Sequence, residues 1–171
     1  VYVRVVVCLS CLFFVVTGVQ FWITSYLVEV LGANKAAVVP VFGVTAITAP
    51  LIGVAFGGWY IDKIGGYQTP HGLAITLKNL TGFGLLAAFS AISCTLVPKS
   101  SYGFPLCVVL IALTLMFGGA VIPACTGILV AVVPPSFRQL ASAGSMFFFQ
   151  LFGYALAPLI SAMVMEIASH A

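Results

Sequence analysis

The sequence predicts an all-α protein, a polytopic bundle of five transmembrane helices. Hydrophobic residues make up 63% of the 171 residues, and the mean hydropathy is +1.25. A soluble domain of this size has too little interior to bury so much apolar surface. Charged residues make up only 5% of the chain, and five mostly apolar runs are each long enough to cross a bilayer. We therefore expect an integral membrane protein surrounded by membrane lipids.

The five apolar runs, here called helices one to five, are separated by short segments with turn residues. Glycine, proline, asparagine and serine dominate these segments, which is typical of turns. Because the connections are short, consecutive helices are expected to run antiparallel. The predicted helices span residues 5–30, 38–61, 71–97, 105–133 and 137–168.

The positive charges predict the orientation of the helices. Cytoplasmic connections of membrane proteins carry an excess of lysine and arginine. With the amino terminus inside, the four inner basic residues are Arg4, Lys63, Lys78 and Arg138, and the two outer ones are Lys35 and Lys99. The net charge of +3 is small and scattered, so no nucleic-acid partner is indicated.

The titratable and nucleophilic residues give no indication of an enzyme. Cys8 and Cys11 form a C-x-x-C pair, but neither a second such pair nor a nearby histidine accompanies them. No carboxylate lies deep in any of the five runs, and no phosphate-binding loop is present. We therefore expect no catalytic residues, no metal and no cofactor.

Helix one carries a polar stripe. Ser10, Thr17 and Thr24 are seven residues apart, and Gln20 falls on the same side. Polar groups that face lipid are costly, so the stripe is expected to face either a water-filled cavity or a neighbouring helix. Both alternatives remain open. The candidate cavity or solute-binding residues are Thr17, Gln20, Trp22, Thr24, Tyr26, Thr114, Thr126, Gln150 and Tyr154.

Small residues recur at four-residue spacing and predict close helix packing. Helix two contains Gly53 and Gly57, and helix five contains Gly153, Ala157 and Ser161. Small side chains let helix backbones approach each other in lipid. Two prolines, at positions 123 and 158, are expected to bend helices four and five.

The turn between helices two and three, residues 57–67, combines glycines with a charged pair in a chain of few charges. It resembles the loop G-x-x-x-D-[RK]-x-G-[RK]-[RK] of the major facilitator superfamily. The matching residues are Gly58, Asp62, Lys63 and Gly65, whereas Gly66 and Tyr67 stand at positions that are usually basic.

The resemblance implies a position in the family's twelve-helix fold. The weaker form of this loop is usual between the eighth and ninth helices, so the five helices would be the seventh to the eleventh. Residues 134–143 also resemble the family's entry into its eleventh helix. Residues 1–171 would then form an incomplete carboxy-terminal half-bundle, a partial major facilitator fold. The expected partners are the missing six amino-terminal helices and the last helix.

A finer resemblance concerns spinster-like lipid transporters. Residues 14–22 and 26–27 are similar to the start of the second half of that group, and Gly118, Gly119 and Pro123 fit it as well. This resemblance implies a secondary-active transporter that moves an organic, amphipathic or lipid-like solute by alternating access. Helices one and four would line the cavity, because the family places its seventh and tenth helices there.

The resemblance also implies a conformational latch. Asp62 would contact the amino-terminal end of helix five, where free N–H groups and a partial positive charge favour a carboxylate. Arg138 could add an ion pair with Asp62. A second interpretation of the chain remains open, in which it is a truncated, non-transporting subunit that serves as a structural element of a larger membrane complex.

Overall fold

The computed structural model describes residues 1–66, 69–100 and 102–169, without the side chains of Pro70, Ala168 and Ser169. All regular elements in this part of the chain are helices. Six are α-helices: α1 Tyr2–Ser25, α2 Lys35–Lys63, α3 Pro70–Thr95, α4 Gly103–Ala131, α5 Arg138–Phe149 and α6 Leu156–Ser169. Two π-helical segments, Tyr26–Val30 and Gln150–Ala155, and a 3₁₀ turn, Pro135–Phe137, adjoin them.

The prediction of five membrane-crossing helices is confirmed. Within the described residues, five helical spans are long and apolar enough to cross a membrane: Tyr2–Val30, Lys35–Lys63, His71–Thr95, Gly103–Ala131 and Pro135–Ile167. Their ends lie within three residues of the predicted ends. The fifth span differs from the prediction in one respect, because a π-helical segment separates α5 from α6.

Side-chain caps explain why two helices begin before their apolar runs. The Asn34 side chain accepts a hydrogen bond from the Ala36 N–H (3.0 Å) at the start of α2. The Thr69 hydroxyl accepts one from the Gly72 N–H (3.1 Å) at the start of α3. Each cap satisfies a backbone donor that the first helical turn leaves without a partner.

The chain divides into two compact units. The terminal unit comprises Val1–Trp22 and Gly127–Ala171, and the central unit comprises Ile23–Thr126. That residues 1–171 belong to one incomplete half-bundle stays a prediction.

In the terminal unit, α1 runs parallel to the fifth span. The Tyr2 hydroxyl donates to the Ala141 carbonyl (2.7 Å), and the Trp22 ring N–H donates to the Ser161 hydroxyl (2.6 Å). Both pairs are separated by 139 residues, so the two helices keep one register along about twenty residues. Because consecutive helices alternate in direction, the first and fifth spans are expected to be parallel, as observed.

The small residues of the fifth span lie in this contact. A Cβ atom on Gly153 would lie 2.6 Å from the Phe13 Cβ and 3.2 Å from the Ser10 carbonyl oxygen, so any side chain there would collide with α1. Ala157, one turn further along, is 1% exposed. The four-residue spacing of Gly153, Ala157 and Ser161 therefore marks a packing surface, as predicted.

In the central unit, the backbones of α2 and α4 touch. A Cβ atom on Gly53 would overlap the Met116 carbonyl oxygen, and one on Gly57 would overlap the Ala120 carbonyl oxygen. From the other side, a Cβ atom on Gly119 would lie 2.8 Å from a carbonyl oxygen of α2. Each of the two α2 glycines contacts the residue 63 positions later in the chain. Because this offset is the same for both, α2 and α4 run parallel.

Helix α3 runs antiparallel to α4 in the same unit. Ser90 and Thr114 share a hydrogen bond (2.9 Å) within the candidate membrane spans of the two helices. The ring of Phe83, two turns earlier in α3, stacks on the ring of Phe117, later in α4, with 6.3 Å between centroids. The contact that lies earlier in α3 therefore lies later in α4. The two helices run antiparallel, which confirms the prediction for these neighbours.

The contact between α2 and α4 predicts a position-specific effect of alanine. Gly57→Ala is expected to destabilise the protein by about 1–3 kcal/mol relative to Gly43→Ala, because the new methyl group forces the two backbones apart. Gly43 lies in the same helix with nothing within 4 Å of its would-be Cβ, so both variants share the gain of about 1 kcal/mol in helix propensity. Unfolding in mild detergent measures the difference. Equal unfolding midpoints would contradict the backbone contact.

Candidate functional site

The charged turn after α2 is built as a Schellman helix ending. The Gly66 N–H donates to the Ile61 carbonyl (2.9 Å), and the Gly65 N–H donates to the Asp62 carbonyl (3.4 Å). This pair of bonds satisfies carbonyls that the last helical turn leaves without partners. Gly65 has a φ of 98° and Gly66 a φ of 65°, which L side chains rarely adopt. The helix ending therefore requires glycine at position 65, which is also a glycine position of the major facilitator loop.

The amino-terminal residues of α3 pack against the charged turn after α2. The Thr76 hydroxyl donates to the Gly66 carbonyl (3.1 Å), and Thr76 is 0% exposed. A Cβ atom on Gly72 would lie 2.7 Å from the same carbonyl oxygen. Sequence reasoning missed Thr69 and Thr76. Thr69 could have been found, because threonine before proline is a common helix start, whereas Thr76 gave no signal among apolar neighbours.

The charged pair occupies the last turn of α2. Asp62 and Lys63 are both exposed. The Lys63 ammonium lies 5.0 Å from the centroid of the Trp59 ring, one turn earlier, a cation–π distance. Tryptophan and lysine together at a helix end are typical of the boundary between lipid and water. This end of α2 therefore fits the membrane surface that its charges predict.

The predicted latch combines residues of both units. Asp62 belongs to the central unit and Arg138 to the terminal unit. Arg138 is exposed at the start of α5, and its Nε donates to the Val133 carbonyl (3.3 Å). Gly58 faces Pro123, whose Cβ would lie 4.0 Å from a Cβ on that glycine. Tyr67 lies outside the described residues, and the latch stays a prediction.

Two predicted cavity residues of the terminal unit make contacts between helices. The Trp22 N–H is bonded to Ser161, and the Tyr154 ring lies 5.1 Å from the Phe13 ring, centroid to centroid. Phe13 also stacks on Phe149 at 4.9 Å. These contacts place the aromatic groups between α1 and the fifth span, where they fix the packing of the terminal unit.

The remaining candidates of the terminal unit differ in their surroundings. Gln20 and Gln150 are exposed, although both lie inside apolar spans. The Thr17 hydroxyl oxygen is buried and has no hydrogen-bond partner among the described residues. A buried hydroxyl without a partner costs about 1–3 kcal/mol, so Thr17 marks a place where a bound water or solute would gain a hydrogen bond.

The central unit contains the other four candidates: Thr24, Tyr26, Thr114 and Thr126. Thr114 bonds to Ser90 and is buried, so its hydroxyl is engaged in helix packing. The Tyr26 hydroxyl donates to the Cys94 carbonyl (3.4 Å). Thr126 is exposed and bonds to its own helix backbone, and Thr24 is half-buried.

Three of the candidates lie in π-helical segments: Tyr26 in the first, Gln150 and Tyr154 in the second. Such wide turns occur often at functional sites. Pro158 follows the second segment in the first turns of α6, where it cannot donate to the carbonyl of residue 154. The sequence predicted a proline bend here, but the π turn beside it has no residue pattern that could have revealed it.

Comparison of the chain with models of protein families, with curated proteins and with solved structures finds no match. The fold itself defines the class, an all-helical bundle with five spans in the described residues that are long and apolar enough to cross a membrane. Membership of the major facilitator superfamily stays a prediction from the turn and the helix pattern.

The buried bond at the charged turn predicts that its hydroxyl matters for stability. Thr76→Val is expected to destabilise the protein by about 1–3 kcal/mol, because valine has the same shape but leaves the Gly66 carbonyl without its donor. Thr48→Val is the matched control, since the exposed Thr48 hydroxyl bonds only to its own helix at Val44 (2.8 Å). Detergent unfolding compares the two. An equal or larger loss for the control would contradict the assignment.

The backbone of the turn gives a second prediction. Gly66→Ala is expected to cost about 1–2 kcal/mol of stability, because alanine resists positive φ. Gly66→Asn should lose less, since asparagine tolerates that region. A Cβ atom on Gly66 meets nothing within 4 Å, so steric clashes do not enter the comparison. Equal unfolding midpoints for the two variants would show that backbone conformation is not the cause.

Proposed function

We propose that the chain is part of a secondary-active transporter that moves an organic, amphipathic or lipid-like solute across a membrane by alternating access. The observation that carries the proposal is the pair of exposed amide side chains, Gln20 and Gln150, inside apolar spans of the terminal unit. The resemblance of the turn at residues 57–66 to the major facilitator loop supports the same function.

The two amide side chains lie far from the ends of their apolar spans. Gln20 is ten residues from the end of the span Tyr2–Val30 (30 − 20), or about 15 Å at 1.5 Å per residue. Gln150 is fifteen residues from the start of the span Pro135–Ile167 (150 − 135), or about 22 Å. Both positions fall well within a hydrocarbon core of about 30 Å. An amide there is stable only against water, protein or a bound polar group.

The chemistry around these amides suits a solute with neutral polar groups and apolar parts. Gln20 is next to Phe21, which is 57% exposed, and Gln150 shares its π-helical segment with Tyr154, which is 44% exposed. Only three acidic residues occur in the whole sequence, none of them within eight positions of either amide. Amides and aromatic rings without fixed charge bind alcohols, esters and acyl chains better than ions.

The packing of the helices is compatible with movement. Helices that touch through glycine backbones present a smooth surface, as at Gly53 and Gly57 in the central unit. Proline and π turns supply points where a span can bend, and both occur together near Pro158. Alternating access requires spans that shift without losing their backbone hydrogen bonds.

Transport predicts a functional cost for removing the amides. In proteoliposomes that contain the natural protein with these 171 residues, Gln20→Leu and Gln150→Leu should each slow the protein-dependent uptake of a fluorescent monoacylglycerol, an uncharged ester with one acyl chain. The expected effect is about two- to tenfold, corresponding to the about 0.5–1.5 kcal/mol of one neutral hydrogen bond. Thr48→Val is the control, because its hydroxyl is satisfied within α2.

Two results would contradict the proposal. One is uptake that neither amide variant changes. The other is a protein without uptake that purifies in a stable assembly with unrelated chains, which would favour the alternative of a structural subunit in a larger membrane complex.

A further inference from the structure

Two buried cysteines meet in the central unit, at the end where α3 stops and α4 begins. The sulfur atoms of Cys94 and Cys107 lie 2.7 Å apart, and the two residues are 7% and 0% exposed. Cys94 is one residue before the end of α3 at Thr95, and Cys107 is four residues after the start of α4 at Gly103. No spacing motif in the sequence joins these two residues.

The surroundings hold the two sulfurs in place. One helical turn before Cys94, Ser90 bonds to Thr114 of α4 and keeps the two helices together. The Tyr26 hydroxyl donates to the Cys94 carbonyl from a third element. On the α4 side, a Cβ atom on Gly103 would lie 2.6 Å from the Pro98 carbonyl oxygen, so the first residue of α4 packs closely against a residue just after α3. The pair is therefore fixed on both sides.

We propose that Cys94 and Cys107 form a disulfide that links α3 to α4, and that hydrogen peroxide or another small hydroperoxide is the oxidant. The observed separation is about 0.7 Å longer than a disulfide bond of about 2.0 Å, so small side-chain movements suffice. A small, uncharged oxidant is required because both thiols are buried.

The reaction proceeds in two balanced steps. The Cys94 sulfur attacks one peroxide oxygen, the O–O bond breaks, and the thiol proton leaves with the other oxygen as water, which gives a sulfenic acid on Cys94. The Cys107 sulfur then attacks the Cys94 sulfur, the S–O bond breaks, and the hydroxyl leaves with the Cys107 proton as a second water. The two thiols lose two electrons, which reduce one hydrogen peroxide to two water molecules, or one organic hydroperoxide to one alcohol and one water.

The difference in exposure assigns the order of the steps. Cys94 keeps some contact with the surface, whereas Cys107 is fully enclosed. The oxidant therefore reaches Cys94 first, and Cys107 resolves the sulfenic acid. The positive charges predict that this end of the hairpin faces away from the cytoplasm, where disulfides persist.

Mass spectrometry on membrane vesicles that contain the natural protein tests the disulfide. The vesicles are treated with hydrogen peroxide, denatured, alkylated with N-ethylmaleimide and digested. The expected result is loss of alkylation at Cys94 and Cys107 and a linked peptide pair lighter by two hydrogen atoms than the separate thiol peptides. Dithiothreitol before alkylation should restore both alkylated peptides. Full alkylation of both residues after peroxide, or linkage only to Cys8, Cys11 or Cys125, would overturn the proposal.

Single variants test the order. In Cys107→Ala, the sulfenic acid on Cys94 should persist and be trapped by dimedone, whereas Cys94→Ala should give no such adduct on Cys107. Cys125→Ala is the control, since Cys125 is also buried in α4 and its removal should leave the linked peptides unchanged. Equal trapping at both positions would overturn the assigned order, while the linked peptides of the unaltered protein still decide on the disulfide itself.

Discussion

The central unit depends on direct contact between the backbones of α2 and α4. In lipid, apolar side chains gain little by leaving the solvent for each other, so helices associate where their main chains approach closely. Gly53 and Gly57 provide that approach, because any side chain at either position would overlap a carbonyl of α4. Once these two parallel helices are in register, α3 can lie antiparallel to α4 and place Ser90 beside Thr114.

A second constraint acts at the helix ends, where backbone groups lose their partners. At the turn after α2, the Ile61 and Asp62 carbonyls accept hydrogen bonds from the N–H groups of two glycines with positive φ. The Gly66 carbonyl accepts a hydrogen bond from the Thr76 hydroxyl. Except for Thr76, which lies in α3, these groups belong to the turn that resembles the major facilitator loop. Gly65 and Gly66 are needed there because the helix ending requires positive φ at both positions. This requirement is independent of whether the loop also acts as a latch.

Polar groups within the spans fall into two kinds. Trp22 and Thr114, predicted together with Gln20 and Gln150 as cavity residues, have hydrogen-bond partners on other helices, Ser161 and Ser90. The two glutamines are exposed instead. The sequence placed all four residues on apolar helices but could not show which of them bond to another helix and which are exposed. Polar residues of both kinds have the same residue types and the same helical spacing.

The sequence by itself determined the class of the fold, since five apolar runs with short turn-forming connections allow little except antiparallel membrane helices. It also located the small-residue packing surfaces, because only small side chains permit backbone contact. Tertiary structure alone decided the π-helical segments, the partner of Thr76, and the meeting of Cys94 with Cys107. The two contacts join neighbouring parts of the chain, ten and thirteen residues apart. Which side chains meet there depends on how the packed helices are rotated and shifted against each other, and residue type and spacing do not encode that fit.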